Sequence, residues 1–145
     1  MRTLSAILLA FILSATTVEA QNTETRDDVF RAHIYNKEYE VFMRIDFYDQ
    51  SITVPGQELY GPLPGYLQKE RNSFTWIVLD AELTSPTEAR LQMINDYGSD
   101  DLVAELTQKD DTTYVLRQLS GATLKVPKNN KWLKLPKSLE MIRKK

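Results

Sequence analysis

Apolar and polar positions alternate with a period of two along most of the chain, the pattern of half-buried β-strands. The clearest run is residues 38–48, where Tyr39, Val41, Met43, Ile45 and Phe47 share one face while Glu40, Arg44 and Asp46 share the other with Phe42 and Tyr48. These 11 residues, at about 3.3 Å each, would make a strand of roughly 36 Å, so it is expected to bend or to serve two sheet edges. Residues 29–35 alternate in the same way, Phe30, Ala32 and Ile34 against Arg31, His33 and Tyr35, with Asn36-Lys37 as the turn between the two. Residues 21–28 are polar, lack periodicity and read as an N-terminal arm.

The rest of the chain continues the pattern. Short strands are expected at 52–54 and 102–107, and longer ones at 74–83 and 87–97, the latter with Ala89, Leu91 and Met93 inward. Asp96 to Asp101 is read as a hairpin loop in which Gly98 supplies a positive φ. A further hairpin is expected from 113–119 and 122–126 about Ser120-Gly121, followed by strands at 132–135 and 139–142 on either side of Pro136. Eight or nine strands joined in sequence order by short polar turns, with no helical period, predict an all-β antiparallel meander. It closes into a small barrel or folds as a barrel-like sandwich.

One stretch interrupts the alternation. Residues 55–67 hold three of the six prolines and three of the five glycines, yet Leu59, Tyr60, Leu63, Tyr66 and Leu67 are too apolar for a solvated linker. The strand at 74–83 starts with Phe74, Trp76 and Val78 on one face and Thr75, Ile77 and Leu79 on the other, so both its faces need cover. Residues 55–67 are therefore expected to form a flap over Trp76.

The strand layout resembles the calycin type of barrel, and that resemblance implies a ligand cavity in the interior. Lipocalins of this type open their first strand with Gly-x-Trp, where this chain has Val29-Phe30-Arg31. The resemblance therefore brings a fold and no binding residues. The inward faces carry Ala32, Ala81, Ala89, Ala104 and Ala122 opposite large Tyr39, Met43, Phe47 and Met93. Small residues of this kind either make room for large ones at native packing density or line a hollow, and the first reading is favoured.

Composition adds destination and polarity. Arg2, the apolar run at 4–13 and Val18-Glu19-Ala20 have the order of a cleaved export signal at 1–20, with an apolar run about half the length needed to span a bilayer. A single β domain is expected over 21–145, exported to a bacterial periplasm or secreted, with no membrane span after cleavage. It contains no cysteine, and a chain this size can depend on hydrophobic burial alone. Charge is uneven: residues 21–111 hold 8 Lys and Arg against 18 Asp and Glu, and residues 112–145 hold 9 against 1. A basic tail of this kind suits an anionic polymer or surface, but the apolar residues among its lysines favour basic strands that close a sheet against acidic ones.

Candidate chemistry is sparse. His33 is the single histidine, no Gly-x-Ser-x-Gly elbow exists, and a zinc site of the usual His and Cys ligands cannot be assembled. His33 reads as a surface histidine. Asp46 with Asp49, and Asp80 with Glu82, offer carboxylate pairs at spacings used by glycoside hydrolases, but any acidic strand face produces them. The aspartates at 95–101 lack the spacing of a calcium loop. The expected function is an exported non-enzymatic binding or interaction module with Tyr60, Tyr66 and Trp76 as ligand contacts, no catalytic residue, no metal and no cofactor. Its partner would be a small apolar ligand or a protein, not a nucleic acid. The alternatives are a small carboxylate-dependent hydrolase and a structural protein of the envelope.

Overall fold

The computed structural model describes residues 28–145. The export signal at 1–20 and all but the last residue of the arm at 21–28 lie outside them. The strands are β1 (Arg31–Asn36), β2 (Val41–Asp46), β3 (Ile52–Thr53), β4 (Pro62–Leu63), β5 (Gly65–Lys69) and β6 (Thr75–Ser85) in the first half. The second half supplies β7 (Glu88–Asn95), β8 (Asp101–Gln108), β9 (Thr113–Gly121), β10 (Lys125–Lys128), β11 (Lys131–Lys134) and β12 (Ser138–Arg143). A 3-10 turn, Glu58–Tyr60, separates β3 from β4.

Eight of these strands make a closed antiparallel barrel in the order β1-β2-β5-β6-β7-β8-β9-β12, with β12 returning to β1. Each barrel strand pairs with the next barrel strand along the chain, which is the meander expected from the sequence. β3 with β4 and β10 with β11 form two small ribbons inserted between barrel strands.

The alternation sends Ile34, Met43, Ile45, Leu67, Trp76, Leu91, Met93, Leu102, Leu106 and Tyr114 into one continuous buried core. Small residues face large ones across the ladder: Ala89 pairs with Leu106, Ala104 with Leu91, and Ala32 with Ile45. This arrangement lets an eight-stranded barrel fill its interior with side chains. At one end the floor is Phe30 stacked on Phe47, ring centroids 5.2 Å apart, with the Tyr114 hydroxyl donating to the Val29 carbonyl. Arg143 reaches the same place, donating to the Tyr114 hydroxyl and the Asp28 carbonyl.

Four details differ from the sequence reading. β2 stops at Asp46, because the Asp46 carboxylate accepts the N–H groups of Tyr48 and Asp49 and turns the chain. Residues 55–67 divide: the part up to Leu63 leaves the barrel, while Gly65, Tyr66 and Leu67 belong to β5, a barrel strand between β2 and β6. β9 continues past a bulge at Leu119 through Ser120 and Gly121, which pair with Val103 and Leu102. The following turn lies at Asn129-Asn130, both with positive φ (52° and 61°), as a two-residue ribbon turn requires.

The cover over Trp76 also comes from elsewhere. Its ring is fully buried in the barrel and its indole N–H donates to the Lys125 carbonyl at 2.8 Å, so the strand lying across it is β10. Leu124, Val126 and Leu135 extend the barrel core into the β10–β11 ribbon, which forms a lid over the end opposite the floor. Gln118 stitches the lid down: its Oε1 accepts the Leu124 N–H and its Nε2 donates to the Pro136 carbonyl. The outer face of β6 around Ile77 is covered by the β3–β4 ribbon, where Val54, Tyr66 and Ile77 form a second small core with Ile52 and Leu63 on the outside of the barrel. The sequence reading that β6 begins with both faces covered therefore holds, but the β3–β4 ribbon covers the Ile77 face and Trp76 is covered by β10.

Gly65 explains why β5 resembles a loop in sequence. A Cβ there would overlap the Arg44 carbonyl oxygen, so the close approach of β5 to β2 demands glycine. Gly65→Ala should destabilise the fold by roughly 1–3 kcal/mol, read as a lower urea midpoint. Gln118→Leu should speed hydrogen exchange at the Leu124 and Val126 amides while leaving the Leu91 and Met93 amides of β7 protected, since the hydrogen bonds of the Gln118 amide hold only the lid.

Candidate functional site

The three residues singled out in the sequence as ligand contacts do not share a site. Trp76 faces the interior, Tyr66 the outer wall, and Tyr60 sits half exposed in the 3-10 turn. The opposite orientations of Tyr66 and Trp76 follow from the register, which pairs Tyr66 with Ile77 and Leu67 with Trp76.

Tyr66 instead belongs to a row that crosses three strands. His33 on β1 is the ladder partner of Arg44 on β2, and Arg44 is the ladder partner of Tyr66 on β5. Their inward neighbours Ile34, Met43, Ile45 and Leu67 are buried, so the row lies on the outer face. Phe42, on the same face of β2, touches both ends of the row: its ring lies 5.3 Å from His33 and 6.0 Å from Tyr66, the latter edge to face. The β3 ribbon then rises as a wall, bringing Ser51, Ile52 and Thr53 alongside. Together these residues line an open groove of about 490 Å³, within the size range of small-ligand sites.

The groove carries one guanidinium and an apolar floor. Arg44 is exposed and makes no hydrogen bond or ion pair among the described residues. Burial holds the His33 pKa below its ordinary value, helped by the positive charges of Arg44 and Lys144 and opposed by Glu70. His33 is therefore a neutral imidazole at physiological pH, able to donate from one ring nitrogen and accept at the other. Burial raises the Tyr66 pKa, with Arg44 acting in the other direction, so the phenol stays protonated. The arrangement can hold an anionic group at the guanidinium and an apolar body against Phe42, Ile52 and the Tyr66 ring.

The carboxylate pairs have other surroundings. Asp80 and Glu82 lie exposed on β6, with Arg90 directly opposite Glu82, around a shallow depression of about 180 Å³. A bulge between Val78 and Asp80 is what brings Ala81 inward and turns both acids outward. Asp46 is only 4 % exposed and is wholly engaged, accepting from Tyr48, Asp49 and Ser51 and facing Arg31 at 3.6 Å. Asp49 is held by Arg31 at 2.9 Å. This pair caps a strand and braces the floor.

Among the described residues no group of three or more His, Cys, Asp or Glu is placed to hold a metal ion, and no helix is long and apolar enough to cross a membrane. No protein-family model, curated protein or solved structure matches the chain.

The row is hidden in the sequence because it depends on β5. Alternation alone puts His33 and Arg44 on outer strand faces, and Phe42 stands out there as an apolar residue among polar ones. Nothing local announces that Tyr66 lies beside Arg44.

Burial alone would raise the Asp46 pKa, but the Ser51 hydroxyl, the Asp49 N–H, Arg31 and the Tyr48 N–H together hold it below the ordinary carboxylate value. A depressed folded pKa gives stability that is complete above the unfolded value, about pH 4, and is lost as pH falls through the folded value. Asp46→Asn should therefore be less stable than wild type at pH 6, with the gap in urea midpoint closing as pH drops below about 4.

Proposed function

We propose that this chain is an exported, non-enzymatic binding module whose ligand is a small organic anion with an apolar or aromatic body, held in the outer groove. The observation that carries this reading is the unpaired Arg44 set between neutral His33 and protonated Tyr66 on the strand face that also bears Phe42. A guanidinium without a carboxylate partner, at the rim of a groove with an apolar floor, supplies orientation through charge and affinity through buried area. Thr53 on the ribbon wall adds a hydroxyl for a second polar group, the Ser51 hydroxyl being committed to Asp46. An interior packed with large side chains favours this outer site over one inside the barrel.

Export and the absence of chemistry belong to the same reading. The segment at 1–20 supports passage out of the cytoplasm. The carboxylates that could serve catalysis are occupied in a strand cap or stand exposed beside an arginine.

An anilinonaphthalene sulfonate has the required shape, an aromatic body with one anionic group, and its fluorescence reports binding. Arg44→Gln should weaken its affinity about tenfold, equivalent to ~1.4 kcal/mol, with no change in melting temperature. An unchanged affinity in the folded variant would remove the groove as the site.

A further inference from the structure

The lid end of the barrel gathers exposed apolar side chains. Tyr97 is 75 % exposed and Trp132 49 % exposed, and Phe74 lies between them, its ring centroid 5.8 Å from one and 5.0 Å from the other. Gln57 Nε2 donates to Asp96 Oδ1 at 2.6 Å, which draws the 3-10 turn Glu58–Tyr60 toward the same loop. Leu59 in that turn is fully exposed and Tyr60 half exposed. Single exposed apolar residues are ordinary on a protein surface, but four large ones at one end of a barrel form a patch.

The lid supplies charge to the same end. Residues 122–139 contain five lysines and no Asp or Glu. In the ribbon ladder Lys125 lies directly opposite Lys134, and Lys128 directly opposite Lys131. Like charges in that position repel and destabilise a ribbon. Lys125 finds Asp100 at 3.9 Å and the Trp132 ring at 5.1 Å. Lys128, Lys131 and Lys134 make no ion pair among the described residues. Lys125 is thereby answered, and the Lys128–Lys131 pair at the ribbon turn keeps a repulsion that an anionic surface relieves.

We propose that this end of the barrel docks on an anionic lipid surface, with Trp132, Tyr97, Leu59 and Tyr60 entering the headgroup layer and the lid lysines meeting lipid phosphates. The apolar tips decide for a bilayer over a soluble polyanion. An aliphatic side chain with no protein neighbour adds nothing to holding a polyanion, whereas it gains by leaving water for the acyl boundary. Trp and Tyr combine an apolar body with a polar tip and settle at that depth. Lysines near an anionic leaflet are attracted over about a Debye length, so the two contributions act together. Of the acids at this end Asp100 is paired with Lys125, while Asp96, which accepts from the neutral Gln57 amide, keeps its charge along with Asp101 and Glu58, so the attraction rests on the lysines at the ribbon turn, Lys128 and Lys131. This surface is separate from the anion groove on the outer wall, and either assignment can fail without the other.

The test is co-sedimentation of the chain beginning at Gln21, which lacks the apolar run at 4–13, with two kinds of vesicle. One is phosphatidylcholine alone, and the other contains about one-third phosphatidylglycerol. Partition into the anionic vesicles should be about tenfold higher and should fall with salt. Trp76 is buried and Trp132 exposed, so a blue shift of emission on binding reports Trp132. The double substitution Lys128→Glu with Lys131→Glu should abolish the preference for anionic vesicles. Leu59→Ser with Tyr97→Ser should lower partition about tenfold and diminish the blue shift, and both variants should melt like wild type because the positions are exposed. Equal partition on the two vesicle types, unmoved by either variant, would overturn the proposal. So would retention on soluble heparin without vesicle binding, which would assign a polyanion, or a lipid-free blue shift that grows with protein concentration, which would assign a second copy of the chain.

Discussion

Closure of the sheet between the first and last barrel strands is the constraint on which the rest of the molecule depends. Ile34 pairs with Arg143 and Tyr35 with Ile142, so the sheet has no free edge and each strand must commit one face to the interior. The same pairing carries Arg143 to the floor, where it meets the Tyr114 hydroxyl and the chain at Asp28. A closed sheet also leaves inserted segments only two places to go, an end or the outer wall. The β10–β11 ribbon takes one end and the β3–β4 ribbon takes the wall.

That division explains which parts of the fold are legible in the sequence. Where a strand carries no extra residue itself, burial follows alternation: in β7 and β8, whose bulges lie on the partner strands β6 and β9, Ala89, Leu91 and Met93, then Leu102, Ala104 and Leu106, face inward as their spacing predicts. The all-β class, the meander and the barrel follow from such runs. Alternation misleads where register shifts. The bulge after Val78 exchanges the faces of β6, so that Ile77 lies outside and Ala81 inside although their spacing is even. Glycine misleads in a different way, because the residue that breaks a strand is also the residue that lets two strands approach. Gly65 and Gly121 both stand against a neighbouring backbone inside the sheet, and in sequence both resemble punctuation.

The candidate groove is the functional counterpart of that ambiguity. His33, Arg44 and Phe42 can be assigned to outer faces from their own strands, but a site requires neighbours across strands, and cross-strand neighbours are set by register. Reading β5 as a flap removes Tyr66 from the wall and places it with Trp76. The correct register separates that pair and unites Tyr66 with Arg44. Charge is legible as a gradient along the chain and not as geometry. Among the described residues two pairs join the acidic and basic portions, Arg117 with Glu105 at 3.0 Å and Lys125 with Asp100 at 3.9 Å. They account for part of the attraction expected between the halves, and they leave the lysines at the lid's turn unanswered.

The lid links stability to surface chemistry. Its inner face is part of the barrel core: Val126 and Leu124 are buried, and Trp76 is anchored to the Lys125 carbonyl. Substituting Val126 or Leu124 would therefore expose the barrel interior, whereas the lysines and Trp132 on the outside bear little of that packing. A two-stranded ribbon alone is marginal in water, so its backbone geometry is imposed by the core beneath it. The core thereby holds Lys128 opposite Lys131 at the turn against their mutual repulsion, a spacing that a free ribbon would relax. The packed interior is thus what fixes the charged surface above it.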